Sequence, residues 1–342
     1  MVSAEVKFGA KQAIVNCLKV QRGEKMAIIT DKDTDYLAAT LYDEAKNAGA
    51  EVVKFIMENY GSRPDDGSTP LRFPDEIADT LKNCTVSIYV AQGKKGELES
   101  FRIPMLKIVE EMKIRHGHMP NFIEAMMGQG MASDYAQIQD VTKKVHDIVS
   151  KARKIRVTSR GGSDFTADID NDKYRWVLCD GNIKPGAWSN LPDGEIFTFP
   201  ADINGRVVVD GCFGDFFNKK YGDISSTPLT YELKNGRCVK GSVKCANAEL
   251  KKEFEEYTFN TDENSDRLGE FAIGTNLGLK KLISNLLQDE KFPGVHLALG
   301  SPYPDKTGAD WTSNAHNDGI LRDVTIEVDG KVIMKDSKFT AI

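Results

Sequence analysis

Five residues in the C-terminal half of the chain have the side-chain chemistry of a metal site: Glu195, Glu270, His296, His316 and Asp318. His316 and Asp318 are two positions apart, so an extended backbone would direct both side chains to one face. An imidazole and a carboxylate that converge in this way could share a metal ion. The same pair can also be an ordinary polar start of a strand.

The other three candidates differ in their surroundings. His296 lies in the apolar run GVHLALG, which predicts a buried strand, and a buried imidazole needs a polar partner or a metal. Glu270 lies in LGEFAIG, where an unpaired buried carboxylate would be costly; the alternative is an exposed residue at a helix start. Glu195 follows a Pro-Asp-Gly turn, and its sequence context alone indicates a surface residue.

Considered together, two histidines and three carboxylates match the ligands of a divalent metal site. Three carboxylates are more than one catalytic zinc ion usually binds. A pair of metals that share a bridging carboxylate therefore fits the set better. We expect two divalent ions, with zinc, cobalt and manganese as the candidates.

The first half of the sequence, residues 1–150, is predicted to be an α/β domain. Helical patterns at 4–20 and 34–48 alternate with apolar runs at 26–30, 52–56 and 85–90. This alternation is typical of a doubly wound, mainly parallel sheet. No Gly-x-Gly-x-x-Gly motif follows the first apolar run, so we predict no dinucleotide site there.

The second half, residues 151–342, is predicted to be a mixed α+β domain that binds the metal. A helix at 134–152 would connect the halves, and two further helices are expected near 248–258 and 278–287. Short strands are expected between turns rich in Gly, Pro, Asn and Asp. Near the end, Asp329-Gly330 between two apolar runs predicts a hairpin.

Composition excludes several function classes. The formal net charge of −6 argues against an extended nucleic-acid interface. The six cysteines are scattered without a Cys-x-x-Cys pair, so neither a disulfide framework nor a thiolate zinc site is expected. No apolar run reaches 18 residues, and no signal peptide is evident at the start, so we expect a cytoplasmic protein without a membrane span.

Five stretches of the second half resemble, in the same order, the thermophilic metallo-aminopeptidase family of the aminopeptidase T and aminopeptidase S type. They are SRGGSDFTADI (159–169), NLPDGEIFTFP (190–200), DRLGEFAIGTN (266–276), DEKFPGVHLALGSPY (289–303) and SNAHNDGI (313–320). The resemblance covers roughly residues 150–330. It implies a metal-dependent aminopeptidase that acts on short peptides and forms a homodimer.

The resemblance also implies a role for each matching residue. Glu195, His296 and the His316–Asp318 pair would be metal ligands. Glu270 would be a ligand that bridges the metals and a candidate to activate the attacking water. Tyr303, seven residues after His296, matches a family tyrosine that assists near the scissile carbonyl.

Two alternatives remain open at this point. The shorter branch of the family also resembles a ring-opening dihydroxypyridine dioxygenase, in which Glu270, His316 and Asp318 would hold one non-haem iron. Such an enzyme has no need for Glu195 and His296, which favours the peptidase. A metal-binding fold without activity is the other alternative. His116 and His118, in RHGHMPNF, could line a cleft or belong to a polar loop.

Overall fold

The structure is a computed structural model that describes residues 2–340 and 342. Contacts divide the chain into two compact units, Met1–Gln137 with Gly181–Asp193, and Ile138–Asp180 with Gly194–Ile342. The division into two domains at residue 150 stays a prediction. In the structure, Gly181–Asp193 belongs to the first unit although it lies in the second half of the sequence, and the sequence did not predict this.

The first unit is built on a five-stranded sheet in which every pair is parallel. Its order is β2-β1-β3-β4-β8. The strands are β1 (Lys25–Thr30), β2 (Glu51–Ile56), β3 (Val86–Ala91), β4 (Arg115–Pro120) and β8 (Trp188–Asn190). Because β2 and β3 lie on opposite sides of β1, the chain winds in both directions from the centre, as a doubly wound fold requires.

Helices connect these strands. They are α1 (Ala4–Lys11), continued by a π-helical segment at Gln12–Cys17, α2 (Asp35–Asn47), α3 (Asp75–Leu81), α4 (Ile103–Glu111), α5 (Glu124–Gly128) and α6 (Tyr135–Val149). The predicted patterns at 4–20, 34–48 and 134–152 correspond to α1 with its extension, α2 and α6. Strand β4 is missing from the prediction, because it carries two histidines in place of an apolar run.

A buried ion cluster lies beyond the carboxyl ends of β1 and β3. The guanidinium of Arg63 donates to Asp31 at 2.9 Å, to Glu97 at 2.7 Å and to Glu58 at 3.1 Å. It also donates to the main-chain oxygen of Gln92, just after β3, at 2.5 Å. Arg63 therefore lies at the edge where a doubly wound sheet usually receives a cofactor.

The second unit contains two sheets whose paired strands are antiparallel. The eight-stranded sheet has the order β12-β11-β10-β6-β5-β16-β17-β18, and the five-stranded sheet has the order β15-β14-β13-β9-β7. The strands are β5 (Lys154–Ser159), β6 (Asp164–Asp168), β7 (Val177–Cys179), β9 (Glu195–Thr198), β10 (Asp202–Val209), β11 (Leu229–Lys234), β12 (Arg237–Cys238), β13 (Leu268–Gly274), β14 (Gly294–Gly300), β15 (His316–Leu321), β16 (Val324–Val328), β17 (Lys331–Lys335) and β18 (Lys338–Phe339).

One continuous apolar core joins the two sheets of the second unit. Val157 and Ile326 of the larger sheet and Phe271 and Leu297 of the smaller sheet belong to it, and all four are fully buried. The smaller sheet therefore uses one of its faces for the core, which leaves the other face for polar side chains.

Four helices complete the second unit: α7 (Asp215–Tyr221), α8 (Ala248–Asn260), α9 (Leu286–Asp289) and α10 (Pro304–Thr307). The helix predicted near 248–258 is α8. The helix predicted at 278–287 is wrong, because only Leu286 and Leu287, the first two residues of α9, are helical within that range. The predicted hairpin is confirmed as β16 and β17, with Asp329 and Gly330 at positive φ of 47° and 84°.

The predicted fold class is confirmed: a parallel, doubly wound sheet in the first unit and mixed α+β structure in the second. Among the described residues, no helix is long and apolar enough to span a membrane.

Candidate metal centre

The register of the five-stranded sheet places four candidate ligands on one face. Glu270 of β13 lies opposite Ala298 of β14, which lies opposite Asp318 of β15. Directly opposite residues share a face, and so do residues two apart on one strand. His296 and His316, each two positions from one of these residues, therefore share the face. The extended conformation expected at 316–318 is confirmed by β15.

Glu195 joins the same face from the next strand. It lies opposite Gly274, which is four positions after Glu270 on β13 and so has the same orientation. Alternating residues such as Ile196, Phe271 and Leu297 point the other way, into the core. The alternation of polar or small residues with large apolar ones in GEFAIG and VHLALG thus separates the polar face from the core face.

A first group of three ligands forms where β9, β13 and β14 lie side by side. The Nε2 atom of His296 is 3.2 Å from Glu270 Oε1 and 3.4 Å from Glu195 Oε2. All three side chains are at most 7% exposed. One ligand atom from each lies within 4.8 Å of the others, so the three could hold one metal ion.

A second group shares Glu270 with the first. The Nε2 atom of His316 is 3.7 Å from Glu270 Oε2 and 3.4 Å from Asp318 Oδ2. The other ring nitrogen of His316 lies 3.1 Å from the carbonyl oxygen of Ser301. A proton on Nδ1 would donate to that carbonyl and leave Nε2 for a metal, an arrangement typical of metal-ligating histidines.

The carboxylates control the protonation of both histidines. Burial alone would lower the pKa of His296, but its hydrogen bond with Glu270 and the nearby carboxylates, Glu195 first, raise it to about 9. Burial is also outweighed at His316, where Asp318 and Glu270 raise the pKa to about 10. In turn, burial would raise the pKa of Asp318, but His316 lowers it to about 2. Without a metal, the two protonated imidazoles offset part of the negative charge of the buried carboxylates.

Lys291 and Glu290 also lie at the site, and neither was predicted from the sequence. Lys291 Nζ is 2.6 Å from Glu195 Oε1 and 2.5 Å from Glu290 Oε1. Burial raises the pKa of Glu290 to about 8, although Lys291 opposes this shift. Glu290 can also form a ligand group with His296 and Asp318. An Asp-Glu-Lys triplet before a strand is typical of a surface turn, so the sequence carried no signal for this role.

Tyr303 lies beside the second group. Its ring centroid is 4.6 Å from that of His316 and 5.8 Å from that of Phe197. Although 39% of Tyr303 is exposed, the protein around it and the carboxylates of Glu270 and Asp318 raise its pKa above the ordinary value of 10. The phenol therefore keeps its proton at neutral pH and can donate a hydrogen bond.

The donor set fits a divalent metal. Glu195 Oε2 is buried and has no hydrogen-bond partner, which is costly for a carboxylate oxygen unless a cation approaches it. Carboxylate oxygens and imidazole nitrogens are the ligands that zinc, cobalt and manganese accept. The two histidines, which have raised pKa values, would each lose a proton to the solvent when such an ion binds.

His116 and His118 lie in the first unit, on strand β4 and not in a loop. Both are buried and hydrogen-bonded in a chain. Arg102 donates to His118 Nε2 at 2.8 Å, His118 Nδ1 is 3.2 Å from His116 Nε2, and His116 Nδ1 is 2.7 Å from Ser87 Oγ. Because a guanidinium only donates, each imidazole carries its proton on Nδ1. This network accounts for both histidines as structural groups of the first unit.

A buried group of carboxylates and histidines on an antiparallel sheet is a candidate site for a divalent metal, and the chain is of the metal-binding class. The model of one protein family, described as thermophilic metalloprotease (M29), matches residues 124–342. The chain belongs to this family, so it is a metallopeptidase, a hydrolase that requires a divalent metal. The match includes all five candidate ligands.

Two solved structures share the fold over nearly their whole length. The 2,5-dihydroxypyridine dioxygenase from Pseudomonas putida KT2440 is 15% identical, with a TM-score of 0.71 over 99% of both chains. AmpT from Thermus thermophilus is 16% identical, with a TM-score of 0.67 over 98% of this chain and 99% of that one. No curated protein matches the sequence. At these identities the structural likeness shows the fold alone.

Proposed function

We propose that this metallopeptidase is an aminopeptidase with two divalent metal ions, held by Glu195, Glu270, His296, His316 and Asp318. The observation that carries the proposal is the position of Glu270. Its Oε1 faces His296 and its Oε2 faces His316, so it belongs to both ligand groups. A carboxylate shared in this way is the arrangement expected of a bridging ligand between two metals.

The charges at the site support two ions. Glu195, Glu270, Glu290 and Asp318 place four carboxylates around the two histidines, and Lys291 supplies one fixed positive charge. Burial raises the pKa of Glu290 to about 8 in the metal-free protein, but a nearby metal charge would lower it again and ionise Glu290. With neutral histidines and all four carboxylates ionised, one divalent ion would leave this set negatively charged. Two ions give it a small positive charge, which suits the anionic transition state of peptide hydrolysis.

Bound divalent ions would supply Lewis acidity, which polarises the scissile carbonyl and lowers the pKa of the attacking water. We propose that Glu270 accepts a proton from that water, for which one of its oxygens must leave its metal ion, and returns the proton to the leaving amine. Tyr303 donates a hydrogen bond to the oxyanion of the tetrahedral intermediate, a contribution of about 3 kcal/mol where the donor is preorganised.

One alternative has a specific observation in its favour. Glu270, His316 and Asp318 form a complete three-residue group without Glu195 and His296. The same three residues could hold a single iron in a dioxygenase of the dihydroxypyridine type, and a dioxygenase of that name shares the fold. The first group, in which a buried oxygen of Glu195 has no hydrogen-bond partner, favours the two-metal peptidase.

Metal counting combined with substrate assays separates the two functions. Protein purified without chelator should hold two metal atoms per chain and cleave aminoacyl anilides, and blocking the α-amino group of the substrate should abolish cleavage. The His296→Ala variant should lose one metal and its activity. A single iron atom together with oxygen-dependent cleavage of 2,5-dihydroxypyridine would establish the alternative.

A control variant tests whether the effect of His296→Ala is specific to the metal centre. His146→Ala removes a partly exposed histidine of α6 and should keep both metals and full activity. Cleavage of a blocked substrate at the unblocked rate would show an endopeptidase and refute the aminopeptidase specificity.

The other proposals rest on the sequence and its family resemblance. We propose zinc, cobalt or manganese as the metal, a short peptide as the substrate, a cytoplasmic location and a homodimer. Light scattering on the metal-loaded protein tests the dimer, and activity regained after adding each metal to chelator-treated protein tests the metal.

A further inference from the structure

Lys291 is a fully buried cation beside the metal centre. Only 1% of the residue is exposed, and its ammonium lies 2.6 Å from Glu195 and 2.5 Å from Glu290. A lysine in such a place loses its hydration and much of its side-chain freedom, so it is kept only where charged partners compensate it. Both partners here are carboxylates of the site.

The contact with Lys291 makes the two oxygens of Glu195 unequal. Oε1 accepts the hydrogen bond from Lys291, while Oε2 is buried, has no hydrogen-bond partner and lies 3.4 Å from His296 Nε2. Oε2 is therefore the oxygen available to a metal ion that His296 also binds. Rotation of the carboxylate would break a short, charge-assisted hydrogen bond.

The backbone around Lys291 is fixed on both sides. Its N–H donates to the carbonyl of Gln288 at 2.9 Å, and its own carbonyl accepts from the N–H of Asn276 at 3.1 Å. The N–H of Thr275 donates to the carbonyl of Gly194, next to Glu195, at 2.8 Å. These bonds hold the lysine and the glutamate at a set separation.

We propose that Lys291 is a positioning residue, which holds Oε1 of Glu195 so that Glu195 binds the metal through Oε2 alone. The inference rests on the proposed function, because it takes Glu195 and His296 as ligands of one of two ions. Glu290, the other carboxylate in contact, keeps the ammonium in place from the opposite side.

If Lys291 acted only through its charge, its removal would change metal affinity in the opposite direction to that expected of a positioning residue. A positive charge next to Glu195 repels a metal ion, so its removal alone would strengthen metal binding. If orientation of the carboxylate dominates, removal of Lys291 weakens binding, by about 10- to 100-fold as for other residues that orient metal ligands. The direction of the change therefore distinguishes the two roles.

The test is a titration of metal-free protein with Zn²⁺, followed by calorimetry, for the wild type and for Lys291→Met. We expect the variant to bind one ion as the wild type does, through Glu270, His316 and Asp318, and the other ion about 10- to 100-fold more weakly. Lys291→Arg, which keeps a cationic donor, should recover part of that affinity. Lys234→Met, a change at an exposed lysine of the same unit, should bind both ions normally.

Unchanged or stronger binding of both ions by Lys291→Met would overturn the proposal. If that variant does not fold, a crystal structure of the zinc-loaded wild type tests the proposal by showing how Glu195 binds the metal. Glu195 bound through one oxygen, with the other on Lys291, supports the proposal, and binding through both oxygens overturns it. If the wild type binds only one ion, the two-metal function is refuted. The positioning role of Lys291 then stands only if Lys291→Met and Glu195→Gln both weaken the binding of that ion.

Discussion

Acidification should destabilise the first unit through His116, and the size of the effect follows from its burial. Burial, and then the charge of Arg102, lower the pKa of His116 from 6.5 to about 3 in the folded protein. The same causes, together with His116 itself, lower the pKa of His118. Both imidazoles are therefore neutral when folded and become protonated when the unit unfolds in mild acid.

The sign of the effect follows from proton linkage. Between pH 6.5 and pH 3 the unfolded chain binds more protons at His116 than the folded chain does, so the free energy of unfolding falls as the pH falls. With a pKa of 6.5 in the unfolded state and about 3 in the folded state, His116 lowers the free energy of unfolding by about 2 kcal/mol between pH 8 and pH 5. His118 adds to the loss in the same direction.

Urea unfolding at pH 8 and pH 5 measures this loss for the wild type and for His116→Gln. Trp188, whose ring is 5.7 Å from that of His118, reports on the first unit when Trp176 and Trp311 are replaced by Phe. The variant should lose about 2 kcal/mol less than the wild type on acidification. Equal losses in both proteins, or a wild type that is more stable at pH 5, would refute the burial argument.

Three further predictions concern single residues. Tyr303→Phe should lower kcat about 100-fold with unchanged metal content, because it removes the proposed oxyanion donor, and steady-state kinetics with metal analysis would show this. Arg63→Met should lower the free energy of unfolding of the first unit by about 3–5 kcal/mol, measured by urea unfolding, because Glu97 would stay buried without its partner. Gly274→Ala should destabilise the second unit in thermal unfolding, since the new methyl group would lie 1.9 Å from the carbonyl oxygen of Phe292.

Local patterns predicted most of the first unit, because its central strands β1 and β3 are buried on both faces and appear as continuous apolar runs. Strand β3 is buried along its whole length and is of this kind. Strand β4 escaped prediction because His116 and His118 break the apolar run, and their burial depends on Arg102 and Ser87, which lie far away in sequence. The false helix at 278–287 has a related cause: its hydrophobic residues suggested a helix, but the segment is largely irregular.

The candidate ligands could be predicted from the sequence because the sheet places them in a regular pattern. Glu270 and His296 each lie in a short strand of otherwise small or apolar residues, so a polar residue there is conspicuous. Lys291 could not be predicted in this way, since it lies in an irregular segment where side-chain direction follows no period. The fold brings Oε1 of Glu195, 96 positions away in sequence, to 2.6 Å from Nζ of Lys291, and only this contact indicates a role for the lysine.

The shared position of Glu270 also explains why the site tolerates so much buried charge. With one ion in the second group, Glu195 and Glu290 would share the single charge of Lys291, and burial would then favour protonation of one of them. The protonated histidines supply the balance in the metal-free protein, and the metal ions would supply it in the enzyme. Proton release and metal uptake should therefore be coupled. Calorimetry of zinc binding in buffers of different ionisation enthalpy should detect about one proton released per histidine at neutral pH, and no release would contradict this account.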